Sequence, residues 1–389
     1  MPQPSRVSLQ RILLSVPHLS GKESRYVQEA LHTGWVSTVG PSVSALEQEF
    51  STLAKLPTLA LSSGTAAIHL GLRLFRLRPD DEVICPTLTF VASCNPILYE
   101  GCKPVFADSD RESWNIDPQR LSDTLGQRAR SNKLPKAVIV VHLFGLSADI
   151  GNILEICRRY EIPVLEDAAE ALGATHKGEL VGTFGDVGAF SLNGNKVITS
   201  GGGGLLVSPR KDWVDNARHW SQQACDPSSD GNYLHSQTGY NYRMSNVLAG
   251  IARGQLEVLH ERVEARRAIS FRYRDALLDV PGLEFMPQPA DARHLNWLSC
   301  FLIDEALFGC DQAALIRFLD TANVETRPVW KPMHTQKLFE RYECVGGEVA
   351  EDLNRRGICL PSSSSLSQED QQFVIDRIRE AHLRATGKW

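Results

Sequence analysis

The stretch Thr58-Leu-Ala-Leu61-Ser-Ser-Gly64-Thr-Ala-Ala67-Ile-His-Leu-Gly-Leu-Arg-Leu74 joins a short apolar run to a helical pattern through a turn of small residues. Ala67, Leu70, Gly71 and Leu74 follow the i, i+3, i+4, i+7 spacing of one helix face. Working outward, the same alternation recurs as far as about residue 208. Apolar runs stand at Glu82–Cys85, Pro104–Ala107, Ala137–Val141 and Pro163–Leu165, and Ile150, Ile153, Leu154 and Cys157 repeat the helical spacing. Strands alternating with helices predict an α/β fold with a mostly parallel sheet covered on both faces. Ser245 is a plausible cap for a long, charge-rich helical stretch reaching about Leu278 and stopping before Pro281. An α+β segment follows, with a strand at Trp297–Ile303, a helix after Asp311 and a last helix after Ser367, where Ser-x-x-Asp has capping-box form. The expected division is a large domain over residues 1–249 and a small domain over 250–389.

Bulk properties narrow the function. The chain has 389 residues, 42% of them apolar and 22% charged, with a net charge of −5. That balance gives no electrostatic reason to expect nucleic acid or an anionic membrane as partner. The 9 cysteines are dispersed and form no C-x-x-C pair, which speaks for buried thiols rather than zinc or redox chemistry. The opening MPQPSRVSLQRILLSVPHLS lacks the apolar centre of a secretion signal, and no apolar run approaches the ~18 residues of a membrane helix. The expectation is a soluble cytoplasmic protein without a metal site.

Three segments could carry chemistry. Ser62-Ser-Gly-Thr65 sits between a strand and a helix, where free backbone N–H groups and the helix dipole favour a phosphate, although Ser and Thr also cap ordinary helices. In Ile162-Pro-Val-Leu-Glu166-Asp167-Ala-Ala-Glu170 the carboxylates follow an apolar run, at the sheet edge where ligands bind; an isolated acid there is often just a cap. Two apolar strands, near 187–192 and 204–207, flank a small-residue loop holding Lys196. A lysine kept from bulk water loses its proton more readily, and the neutral amine is the form that condenses with an aldehyde; a lysine in a glycine-rich hairpin is the plain alternative. Gly201–Gly204 lacks the spacing of a dinucleotide fingerprint. Together, a phosphate cradle, a strand-end Asp and a loop Lys are the three anchors that pyridoxal phosphate requires.

At this point a family resemblance can be read from Gly34-Trp-Val-Ser-Thr-Val-Gly40, Ser62–Ala66, Pro86-Thr-Leu-Thr-Phe90-Val-Ala-Ser93 and Val141-His-Leu-Phe-Gly145. It continues through Glu166–Gly173, Ser191–Gly204, Gly239-Tyr-Asn-Tyr-Arg-Met244 and Thr326-Arg-Pro-Val-Trp-Lys-Pro-Met-His334. The chain resembles the DegT/DnrJ/StrS sugar aminotransferases from about Gly34 to Ile378. The resemblance implies the pyridoxal-phosphate-dependent transferase fold type I, as in aspartate aminotransferase. It implies that Lys196 carries the cofactor, that Asp167 partners the ring nitrogen, and that Gly64, Thr65 and Ser191 contact the phosphate. Phe90 would stack on the ring, Glu170 would make a polar contact beside it, and Asn241 would reach the phosphate of the neighbouring subunit in a homodimer. Relatives with His at the lysine position act as dehydratases, and Lys196 argues against that branch. Leu192 stands where the family usually has Phe.

Three segments look like a narrower branch acting on UDP-linked 4-keto-6-deoxy-N-acetylhexosamines, with glutamate as donor: Asn-Gly-Asn-Lys, Glu-Asp-Ala-Ala-Glu and Arg-Pro-Val-Trp-Lys-Pro-Met-His. Such an enzyme would supply amino sugars for surface polysaccharide or lipopolysaccharide. Arg327, Lys331 and His334 could meet the nucleotide phosphates or form a solvated basic loop. Trp35 could stack on a sugar or base, or belong to a core. The rival readings are a pyridoxal-phosphate-dependent dehydratase or aldol-type lyase, a non-catalytic pyridoxal-phosphate-binding regulator, and a cofactor-free structural protein.

Overall fold

The computed structural model describes residues 10–228 and 231–388; residues 1–9 of the opening stretch lie outside them. The apolar runs become strands nearly as their composition dictates. They are β1 (Thr58–Leu61), β2 (Glu82–Pro86), β3 (Lys103–Ala107), β4 (Ala137–Val141) and β5 (Val164–Asp167). A short hairpin of β6 (Thr175–His176) and β7 (Glu179–Leu180) precedes β8 (Val187–Ser191) and β9 (Gly204–Val207). Further along come β10 (Leu283–Phe285), β11 (Ala292–Arg293), β12 (Ser299–Ile303), β13 (Arg327–Pro328), β14 (Cys344–Val345) and β15 (Gly357–Leu360).

The main sheet has eight strands in the order β1-β9-β8-β5-β4-β2-β3-β14. All run one way except β9, which is antiparallel to both β1 and β8. Every residue of β4 and β5 is buried, as expected for strands covered on both faces. The consequence for function is positional. The carboxyl ends of β1, β5 and β8 and the start of β9 meet at one edge. Leu61 pairs with Gly204, Gly204 with Ser191, and Asp167 with Ala189.

The helix expected across Ser245 to Leu278 is two helices, Asn246–Leu256 and Leu259–Leu277, parted at Val258. They separate because they serve different cores. Ser245 does cap the first, its Oγ accepting from the N–H of Leu248 at 3.3 Å. That helix lies against α1 (Glu23–Thr33) and α2 (Pro41–Ala54). Its Gly254 approaches α1 so closely that a Cβ would stand 2.7 Å from the backbone nitrogen of Glu23. The second helix puts Ile269, Tyr273 and Leu277 into an apolar cluster with Phe301, Phe308, Leu319 and Ile375. This cluster packs against the small antiparallel sheet β10-β12-β15-β13. Asp311 and Ser367 cap the helices that follow them, accepting from Ala314 and Asp370. Among the described residues three β pairings cross between the halves: β14 adds to the edge of the main sheet beside β3, β11 pairs with β6, and Ile12 bridges to Val324. No helix among the described residues is long and apolar enough to cross a membrane. All nine cysteines are free thiols.

Candidate active site

At the sheet edge where β1, β5 and β8 end lies a cavity of about 450 Å³, a volume suited to a small molecule. Ser62, Ser63, Gly64 and Thr65 line one side of it, and Asp167, Glu170, Ser191 and Lys196 line others, with Phe90, Trp297 and Trp330 as aromatic walls. Seven of the residues singled out by sequence (Gly64, Thr65, Phe90, Asp167, Glu170, Ser191 and Lys196) therefore share one cavity.

Each is placed by its local chemistry. Ser63 takes an extended backbone and caps helix α3 (Gly64–Leu74), its Oγ accepting from the N–H of Ala66 at 3.0 Å. This leaves the first N–H groups of the helix facing the cavity wall. Gly64 is packed on Ser191: an added Cβ would lie 3.0 Å from the serine Cβ. Gly204 is tighter still, since a Cβ there would fall 2.4 Å from the carbonyl carbon of Ser63.

Asp167 is the last residue of β5 and is buried. Its Oδ2 accepts from Ser93 Oγ at 2.6 Å and its Oδ1 from the N–H of Ala169 at 3.0 Å. Ser93 in turn exchanges a hydrogen bond with Thr89 Oγ1 at 2.7 Å. Burial raises the Asp167 carboxyl above its ordinary range, and Ser93, Ala169, Lys196 and His142 only partly offset this. Immediately before it, Glu166 turns to the other side of the strand. It bonds His142 Nε2 at 2.9 Å and accepts from the N–H groups of Gly182, Phe184 and Gly185. Glu166 is thus a structural tie behind the site.

Lys196 stands in the loop between β8 and β9, its side chain only 13% exposed. Its Nζ lies 4.0 Å from Glu170 Oε1 and 4.2 Å above the ring centre of Trp297. Burial pushes its amine below the ordinary lysine range, against the pull of Glu170 and Asp167, and Arg266 adds to the lowering. Burial raises the Glu170 carboxyl, which Lys196 and the N–H of Phe144 restrain. The Phe144 N–H reaches Glu170 Oε2 at 2.8 Å because Phe144 takes a left-handed backbone with φ of 52°. That conformation costs on the order of 1 kcal/mol and is typical of residues that shape a site.

Five candidates lie outside this cavity. Asn241 is exposed, its backbone bridged to Gln222. Trp35 is half exposed, and its carbonyl accepts from Asn246 Nδ2 at 2.8 Å. Arg327 is on β13, paired to Glu325 at 2.7 Å. Lys331 is exposed and faces a separate surface hollow with Asn354 and Arg355. His334 has both ring nitrogens engaged, with Thr87 Oγ1 at 2.7 Å and Glu351 Oε1 at 3.1 Å. These basic side chains do not converge because short strands and turns point them to different surfaces. Conversely, Ser93, Trp297 and Trp330 line the cavity without having been singled out by sequence. Ser93 and Trp330 lie within segments that match the family; Trp297 carries no signal beyond being large and aromatic.

The donor set fits pyridoxal phosphate. Asp167 would face the ring nitrogen, the Lys196 amine would meet the aldehyde, and the Ser62–Thr65 turn with Ser191 would hold the phosphate on N–H and hydroxyl donors.

Comparison with known proteins agrees with this geometry. The family model for the DegT/DnrJ/EryC1/StrS aminotransferase family matches residues 17–379. EpsN of Bacillus subtilis (strain 168) is 45% identical, covering 97% of this chain and 98% of that protein. GDP-perosamine synthase of Escherichia coli O157:H7 is 36% identical over 94% of this chain and 96% of its own length. Among solved structures, the aminotransferase TlmJ from Streptoalloteichus hindustanus superimposes with a TM-score of 0.88 at 28% identity, covering 96% of this chain and 99% of that one. With a fold type I sheet, a site that suits pyridoxal phosphate and a family match over almost its whole length, the chain belongs to the DegT/DnrJ/EryC1/StrS family of pyridoxal-phosphate-dependent aminotransferases.

Proposed function

We propose that this aminotransferase moves the amino group of glutamate onto a UDP-linked 4-keto-6-deoxy sugar, for amino sugars of a surface polysaccharide. The observation that carries the reading is the single cavity shared by Lys196, Asp167 and the Ser62–Thr65 turn. When bound, pyridoxal phosphate supplies an electron sink for negative charge at the amino-bearing carbon. The chain's residues do the rest. Asp167, supported by Ser93 and Ala169, holds a proton on the ring nitrogen. The Lys196 amine, whose hold on its proton burial weakens, takes a proton from the donor carbon and returns it as a positioned base and acid. Trp297, buried against the Lys196 amine, and Trp330 shield the reacting atoms from water on that side.

The branch features Asn193–Lys196 and Glu166–Glu170 favour the UDP sugar. A GDP-linked 4-keto-6-deoxy sugar is the second reading, favoured by the 36% identity to GDP-perosamine synthase. We further propose a homodimer working in the cytoplasm, with Asn241 completing the neighbour's phosphate site. Its exposure outside this chain's own cavity is what supports that role. The test is to incubate pure protein with glutamate and a panel of UDP- and GDP-linked keto sugars, and to identify products by mass and NMR. Absence of any glutamate-dependent amino sugar would overturn the proposal. A product from the GDP sugar alone would select the second reading.

A further inference from the structure

The Lys196 loop is held from below by a charge that has no counter-ion. Arg266, in the helix Leu259–Leu277, is among the largest fully buried side chains of the protein, 1% exposed. None of the ion pairs among the described residues includes it. Its guanidinium is met instead by neutral oxygens. Nη1 donates to the carbonyls of Trp297 at 2.5 Å and Ser362 at 3.0 Å. Nη2 donates to Ser15 Oγ at 3.0 Å and reaches the carbonyl of Lys196 at 3.5 Å. Its Nε is buried without a partner.

The groups it touches hold the lysine. Ser15 Oγ and Trp297 Nε1 both donate to the carbonyl of Asn195, each at 2.7 Å. The Trp297 ring lies under the Lys196 amine. One side chain thereby ties the N-terminal segment, the start of β12, the end of β15 and the 195–196 turn together. A buried cation without a carboxylate is expensive. Packing alone gives no reason for it, since an apolar side chain of that volume would be cheaper.

Resting on the reading of Lys196 as the cofactor-bearing amine, we propose that Arg266 is its positioning residue, clamping the Asn195–Lys196 turn over Trp297. Its charge also opposes protonation of the neighbouring amine. Burial depresses the Arg266 guanidinium to about 9, so it stays charged at neutral pH. The charged groups acting on Lys196 are then Glu170 and Asp167, which favour its protonated form, and Arg266, which disfavours it. Arg266 also acts on His18, whose protonation is disfavoured by burial, Arg262 and Arg266 and favoured by Glu23.

The experiment compares wild type, Arg266→Gln and Arg266→Lys in two readouts. One is the pH titration of the visible absorbance of the pyridoxal-phosphate-loaded protein. The other is competitive acetylation of Lys196 in the cofactor-free full chain, followed by peptide mass against pH. In Arg266→Gln the midpoint of Lys196 labelling should rise above that of wild type. Arg266→Lys should hold the wild-type midpoint but release cofactor several-fold faster, because an ammonium cannot reproduce the fork of contacts. Should Arg266→Gln fail to fold, Ser15→Ala removes one contact to Asn195 and one acceptor of Arg266 while keeping the arginine, and should also speed cofactor release. Unchanged midpoints in a folded Arg266→Gln, or unchanged release in Arg266→Lys and Ser15→Ala, would overturn the inference. A wild-type protein with no visible band and an ordinary Lys196 titration would instead defeat the reading of Lys196 itself.

Discussion

Replacing Asp167 by Asn keeps the shape of the site and removes its charge. Ser93 Oγ can accept from the new amide while donating to Thr89, with which it already shares a bond of 2.7 Å, and the N–H of Ala169 keeps an acceptor. The fold should therefore tolerate the change. The sign for stability follows from burial. The carboxyl is raised above its ordinary value in the folded state, so holding it ionised costs free energy above about pH 4, its unfolded range. The variant escapes that cost, and its melting temperature at neutral pH should equal or exceed that of wild type. Activity should move the other way. A carboxylate facing a protonated ring nitrogen about 4 Å away interacts by about 4 kcal/mol at an effective dielectric near 20. An amide retains about 1 kcal/mol of hydrogen bonding. The net loss of about 3 kcal/mol corresponds to a rate reduction of about a hundredfold. The assay is the single-turnover, glutamate-dependent change in visible absorbance of the cofactor-saturated protein, followed by stopped flow. A folded Asp167→Asn variant reacting within threefold of wild type would refute the assignment of this carboxylate to the ring nitrogen.

Three further outcomes are expected. Lys196→Ala should lose the visible band and turnover together, and millimolar methylamine should restore part of the turnover; full activity without added amine would remove Lys196 from the mechanism. Gly204→Ala should release cofactor at least tenfold faster and unfold at lower temperature, because its Cβ would meet the Ser63 carbonyl carbon at 2.4 Å and backbone cannot yield there; equilibrium dialysis and calorimetry read both. Glu23 accepts from the N–H groups of Ser20 and Gly21 and from Gln255, which outweigh its burial and hold its carboxyl down to about 2. A depressed carboxyl contributes stability that is present above about pH 4.5 and lost as pH falls towards 2. Glu23→Gln should accordingly cost on the order of 2 kcal/mol at pH 7 and almost nothing near pH 2, as urea unfolding across pH would show.

Much of the main sheet was legible because its strands are short, largely buried and mostly apolar. Ala137–Val141 and Gly204–Val207 begin and end where their composition changes. The loop carrying Lys196 was legible for the opposite reason, as a lysine among small residues between two such strands. What periodicity could not show was tertiary choice. The break at Val258 has no proline or glycine; it exists because one helix is claimed by α1 and α2 and the next by the apolar cluster on the small sheet. β14 is two residues long, and only the neighbouring edge of β3 makes it a strand. Trp297 and Arg266 lie far along the chain from Lys196, so their contacts with its loop follow from packing between the small sheet and the main one.

The polarity of the cavity is the feature that unites these pieces. Burial drives the amine of Lys196 down and the carboxyls of Asp167 and Glu170 up, so at this end the fold pushes each ionisable group towards its neutral form. The other end offers the start of α3, where Ser63 satisfies one N–H and Gly64 and Thr65 line the cavity. A ligand that matches both ends must be a proton-binding ring at one and an anion at the other, with an electrophilic carbon within reach of the amine. The parallel sheet produces that polarity without long-range charge: strand ends gather the acids, a helix start gathers the N–H groups, and reversal of β9 brings the lysine loop back over both. The net charge of −5 is therefore no obstacle to binding a phosphate, because the donors that would hold it are backbone dipoles fixed by the fold.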